Sequence, residues 1–90
     1  MTRIASLRDI KPGQSALIQG IRGNSPFKKR LLEMGLVKGE VIQKLKLAPL
    51  ADPAEYVVKG YHVSLRQEEA ADILVEPVNR PGSSAVTESA

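Results

Sequence analysis

Glu55-Tyr56-Val57-Val58-Lys59-Gly60-Tyr61-His62-Val63-Ser64-Leu65-Arg66 is the stretch on which the fold turns. Apolar and polar residues alternate on both sides of Lys59-Gly60, the pattern of two half-buried strands joined by a tight turn. A two-residue loop pairs Val58 with Tyr61 and Tyr56 with Val63. That register puts Tyr56, Val58, Tyr61, Val63 and Leu65 on one apolar face. Glu55, Val57, Lys59, His62, Ser64 and Arg66 occupy the other. Gly60 is the residue expected to take the left-handed conformation.

Downstream, Gln67-Glu68-Glu69-Ala70-Ala71 is too short for an independent α-helix and reads as a single connecting turn. Ile73-Leu74-Val75-Glu76 then forms a last short strand, closed by Pro77. Residues 79–90 are rich in Ser, Gly and Pro and lack any period, so a domain over 1–78 with a flexible tail over 79–90 is expected.

Upstream, Ala48-Pro49-Leu50-Ala51-Asp52-Pro53 holds two prolines and must be a loop. In residues 40–47, Val41, Leu45 and Leu47 share a face with Gln43, which reads as the buried side of a strand. Glu40, Ile42, Lys44 and Lys46 lie opposite. Ser25 as N-cap, Pro26 at the first helical position and Gly35 as the stop bound a helix of about three turns. Its stripe is Phe27, Leu31 and Met34. Before it, residues 15–22 form the first strand, with Leu17, Gln19 and Ile21 on one face and Ala16, Ile18 and Gly20 on the other. Asp9-Ile10-Lys11-Pro12-Gly13 is a turn, preceded by Ile4, Leu7 and Ile10 at the spacing of a short helical or 3₁₀ turn. Five strands, one helix inserted after the first and a helical turn before the last make a mostly-β domain. A small, partly open, five-stranded SH3-like barrel is the natural way to hide its edges.

Composition narrows function before any motif does. With no Cys there is no disulfide, thiolate metal site or cysteine nucleophile, and one His cannot build a histidine metal site within a single chain. No apolar run approaches the roughly 20 residues needed to cross a bilayer, and no apolar leader opens the chain, so the expected address is the cytoplasm. The net charge of +3 hides an asymmetry: residues 1–47 hold ten Lys/Arg against three Asp/Glu, and residues 48–90 hold three against seven. Such a division favours an acidic partner or head-to-tail contact, although charge also simply solvates a surface.

Three stretches are similar to one family in order and spacing. Ser6-Leu7-Arg8-Asp9-Ile10-Lys11-Pro12-Gly13 matches its opening L-x-x-[LI]-x-P-G. Arg30-Leu31-Leu32-Glu33-Met34-Gly35-Leu36 matches its R-L-L-[DE]-[LM]-G-L helix end. Ala48-Pro49-Leu50-Ala51-Asp52-Pro53, with Gly60-Tyr61, Ser64-Leu65-Arg66, Glu69-Ala70-Ala71 and Val75-Glu76, resembles its third motif. The family is FeoA, ferrous iron transport protein A. Ala51 stands where the family usually has Gly, and Lys38 where it often has Pro. The resemblance implies a cytoplasmic SH3-like module acting beside FeoB, a membrane ferrous-iron permease with a GTP-binding domain. At family level it also carries transition-metal binding.

No catalytic constellation is present, so a non-enzymatic protein without cofactor or monomeric metal site is expected. His62 falls on the polar face of the hairpin opposite Val57, the place of a solvated histidine. Lys28-Lys29-Arg30 puts three cations into the first helical turn, where the macrodipole is already positive. The run is either an anion-seeking patch or a solubilising one. An arginine finger from Arg30 would be the sharpest form of the first reading. Leu32 lies off the apolar stripe, so it is either covered by the 48–53 loop or an exposed contact point. The candidate partner-binding set is therefore Lys28, Lys29, Arg30 and Leu32 with Pro49, Leu50 and Pro53. The expected partner, by resemblance, is the FeoB-type GTPase and permease, with no nucleic acid, no direct membrane insertion, and weak self-association left open. The competing reading is a nucleic-acid-binding SH3-like module. It is disfavoured because Phe27, Tyr56 and Tyr61 all read as core-facing rather than as an outer stacking platform.

Overall fold

The structure, a computed structural model, describes residues 4–45 and 52–78. The short strand β1 (Ala5–Ser6) leads into a 3₁₀ turn (Leu7–Asp9), β2 (Ser15–Ile21), helix α1 (Lys28–Glu33), β3 (Val41–Lys44) and β4 (Ala54–Val58). They are followed by β5 (Tyr61–Leu65), α2 (Gln67–Ala71) and β6 (Ile73–Val78). The strands form one antiparallel six-stranded sheet in the order β1-β6-β2-β3-β4-β5, curled into a partly open SH3-like barrel. The sixth strand is β1: two residues long, it pairs Ala5 with Val75 and Ser6 with Leu74. Such a piece leaves no alternation to read.

The hairpin has the expected register, with Val58 opposite Tyr61, Tyr56 opposite Val63 and Val57 opposite His62. Lys59 (φ 53°) and Gly60 (φ 82°) are both left-handed, as a type I′ turn requires. Tyr56, Val58, Val63 and Leu65 are buried. Tyr61 departs from the expectation: it sits at the hairpin tip, opposite buried Val58, and is 41% exposed.

Strand β3 is inverted relative to the alternation read from residues 40–47. Ile42 is fully buried, whereas Val41 and Gln43 are exposed. The neighbours decide this, since Ile42 lies between Ala16 of β2 and Val58 of β4, both core residues. In β2, Ala16 and Ile18 face the core, and the register against β6 shifts between Ile18 and Gly20, a bulge that bends the strand. Strand β6 runs past Glu76 to Val78, with Pro77 opposite Ala16. Among the described residues β1 reaches only as far as Val75, so Pro77 has β2 as its one described neighbour, and a missing N–H is tolerated at such an edge.

Residues 67–71 form a helix rather than a bare turn. Both its ends are held from outside: Asp52 Oδ1 accepts the Gln67 N–H (3.0 Å), and Ser6 Oγ donates to the carbonyls of Ala70 and Ala71 (3.2 and 3.1 Å). Leu7, Ile10, Leu31, Leu36, Ile73 and Val75 belong to the same buried core.

Candidate docking site

Helix α1 begins later than its sequence signals suggest. Ser25 Oγ accepts the Phe27 N–H (3.1 Å) and the Ser25 carbonyl accepts the Lys28 N–H (3.3 Å), so Pro26 and Phe27 form a tight turn. The α-type ladder starts only with the Phe27 carbonyl, which accepts from Leu31 (2.9 Å). Phe27 is thus the N-cap, without a side-chain cap, and α1 has six residues. Its end is as expected. Leu36 N–H reaches the Leu31 carbonyl and Gly35 N–H the Leu32 carbonyl, a Schellman closure around left-handed Gly35 (φ 90°). Leu31 and Leu36, the two residues such a closure brings together, are both fully buried.

This geometry turns one face of α1 outward. Lys28, Lys29 and Leu32 are exposed, Leu32 at 42%, so the leucine is a surface residue. No acidic residue lies in the first turn. Among the described residues, neither Lys28 nor Lys29 enters an ion pair. Arg30 differs. Its guanidinium pairs with Glu69 of α2, the one buried charged residue among those described. It is therefore not a free member of the cationic patch, and a finger role would have to break that pair. Glu69 Oε1 meanwhile accepts the Arg66 N–H (2.9 Å).

Two side chains beyond the expected set meet the C-terminal end of α1. The Tyr61 hydroxyl donates to the Met34 carbonyl at the C-cap of α1. Lys59 Nζ lies beside Gly35 and 3.6 Å from Glu40 Oε2. Glu69 had a faint signal in sequence, an acid three residues after Arg66 where a helix start would place a capping-box partner. Tyr61 had none, since alternation assigned it to the core. Pro53 is half-buried after the cis Asp52–Pro53 bond, while Pro49, Leu50 and Ala51 lie outside the described residues, as does the 79–90 tail.

Elsewhere the surface offers little chemistry. Among the described residues no three His, Cys, Asp or Glu side chains gather, and no helix is long and apolar enough to cross a membrane. His62 is exposed. A shallow cleft of about 190 Å³ between the 3₁₀ turn and β6 is lined by Ala5, Asp9, Ile10, Lys11, Gln14 and Pro77.

Comparison with known proteins follows the same outline. The chain is 42% identical over 79 residues to the Fe(2+) transport protein A/Fe(2+) transporter FeoB fusion protein of Porphyromonas gingivalis. That match covers 88% of this chain but only 9% of the length of that relative. The FeoA-like protein of Clostridium acetobutylicum superposes with a TM-score of 0.80 at 34% identity, covering 89% of this chain and 93% of that one. Stenotrophomonas maltophilia FeoA, solved with zinc and described as a procaryotic SH3 domain protein, gives 0.68 at 27% identity over 79% and 88% of the two chains. The FeoA domain model matches residues 5–77, from β1 into β6, and this chain therefore belongs to the FeoA family.

Proposed function

We propose that this FeoA domain is a non-enzymatic accessory module of ferrous iron uptake, working on the cytoplasmic side by docking on the GTP-binding region of a FeoB-type permease. The observation that carries the reading is the outward face of α1. It presents two lysines without an intramolecular ion pair among the described residues, beside an exposed leucine. Cations in the first turn of a helix oppose its dipole. An acidic, partly apolar partner surface would relieve that repulsion and cover Leu32. The fused relative supports association with FeoB, because one chain there joins the two proteins. A nucleic-acid platform is less well served: Tyr61 is the exposed aromatic of the described residues, and its hydroxyl is engaged by Met34.

An NMR titration with the soluble GTP-binding region of a FeoB-type permease tests this, with Lys28→Glu/Lys29→Glu as the decisive variant. Shifts should centre on α1, and association should weaken as ionic strength rises through ~0.1–0.2 M. A folded double variant that binds like the parent would remove α1 as the docking face.

A further inference from the structure

Helix α1 ties together the two ends of one edge strand. Among the described residues the sheet ends at β5, which has β4 on one side and no further strand on the other. At the start of β5, the Tyr61 hydroxyl donates to Met34 at the C-cap of α1. Just past its other end, Glu69 of α2 receives Arg30. The second clasp is built with care. Glu69 is only 5% exposed, one oxygen accepts the Arg66 N–H (2.9 Å), and the other faces the guanidinium. Its carboxylate is thus aimed before Arg30 arrives, and a planar guanidinium holds direction better than an ammonium would. The first clasp is tight as well, since a Cβ on Gly35 would come within 2.8 Å of the Tyr61 oxygen. Neither clasp uses Lys28, Lys29 or Leu32.

We propose that Arg30, Glu69 and Tyr61 are positioning residues that hold α1 as a strap across β5, so that Lys28, Lys29 and Leu32 are presented to an acidic, partly apolar partner surface in one arrangement. The inference rests on the docking reading above and adds how that face is kept competent. A six-residue helix is too short to hold itself. If the strap frays, the binding-competent fraction falls, and apparent affinity falls in the same proportion. Arg30 thereby changes role: it serves the docking face from behind.

Two conservative variants separate the clasps from the contacts. Tyr61→Phe removes only the hydroxyl. Glu69→Gln keeps an acceptor for the Arg66 N–H and removes the charge opposite Arg30. Amide hydrogen exchange and affinity for the GTP-binding region of a FeoB-type permease are measured for each, and for both together. Exchange at Leu31, Met34 and Leu36 should rise about fivefold or more beyond any rise in β2 and β6. Affinity of Tyr61→Phe should fall about threefold to tenfold. In Tyr61→Phe, which changes no charge, the salt dependence of binding should stay that of the parent. Exchange rising equally in β2 and β6 would mark the clasps as ordinary stability contacts and overturn the proposal. So would unchanged affinity of Tyr61→Phe in a system where Lys28→Glu/Lys29→Glu abolishes binding. If that lysine variant binds normally, the docking reading itself fails and the presentation role goes with it, with exchange alone left to report whether the clasps hold α1.

Discussion

The β4–β5 hairpin and α1 each depend on a left-handed glycine, and the two glycines stand in opposite surroundings. Around Gly60 (φ 82°) a side chain would meet nothing within 4 Å. At Gly35 (φ 90°) it would run into Tyr61. The hairpin turn is a local device: two adjacent residues set the register and everything follows from alternation. The α1 terminus is a meeting point, where helix end, hairpin tip and core must agree. Local elements tolerate change according to backbone cost alone, while convergent ones add the cost of every partner disturbed.

The largest expected effect breaks the convergent site. Gly35→Ala should destabilise by about 2–4 kcal/mol, summing left-handed strain and the collision with Tyr61. Chemical denaturation measures it, and a loss of only about 1–2 kcal/mol, the left-handed strain alone, would show that Tyr61 simply moves aside. A Gly35→Ala/Tyr61→Phe double-mutant cycle would then apportion the two terms.

The next prediction probes the hairpin's buried side through pH. Burial pushes the Tyr56 hydroxyl up from its usual 10.0 to about 12. The neutral phenol is the favoured form in the fold, so its contribution is complete below the unfolded value of 10.0 and is lost as pH rises towards about 12. In that window the unfolded chain has released the proton and the native chain has not. The stability of the parent should therefore fall by about 2–3 kcal/mol relative to Tyr56→Phe between those limits. Parallel pH curves for the two proteins would refute it.

Smaller again is Gly60→Val, whose Cβ meets no atom within 4 Å, so that backbone strain of about 1–2 kcal/mol dominates. If it matched Gly35→Ala in cost, the contrast between local and convergent glycines would collapse. Smallest is Lys28→Glu/Lys29→Glu in the unbound protein. Carboxylates in the first turn of α1 should stabilise by ~0.3–1 kcal/mol each at low salt, fading as salt is added. A thermal melt at two ionic strengths would show it, and a loss of stability would mean that the lysines serve an internal contact.

The resemblance to FeoA and the SH3-like class could be read from the chain because they rest on dense local signals: the alternation of 55–66, the glycine stops and the prolines. Strand β3 could not. Val41, Gln43 and Leu45 look like an inner face beside Glu40, Lys44 and Lys46, yet Ile42 goes inside because Ala16 and Val58 flank it. In a four-residue strand one apolar side chain between two core neighbours outweighs the polarity of those next to it in sequence. Helix α2 was hidden for a related reason. Five residues cannot carry a helix alone, and Asp52 and Ser6, which hold its ends, are far from it in sequence.

The candidate site divides along the same line. That Lys28 and Lys29 crowd a helix start, and that Leu32 falls off its apolar stripe, follows from the 3.6-residue period and needs no coordinates. That Arg30 is withdrawn from the patch and that Tyr61 meets the end of α1 follows from packing alone. Glu69 lies 39 residues from Arg30, and Tyr61 27 residues from Met34. Period and turn chemistry act between residues a few positions apart, so the chain alone determines its hairpin, its helix stop and its left-handed glycines. Which strand face is buried, and which of three adjacent cations is taken into an ion pair, depends on groups brought together only when the barrel closes. Burial and ion pairing are settled by the neighbours in space, and alternation along the chain does not name them.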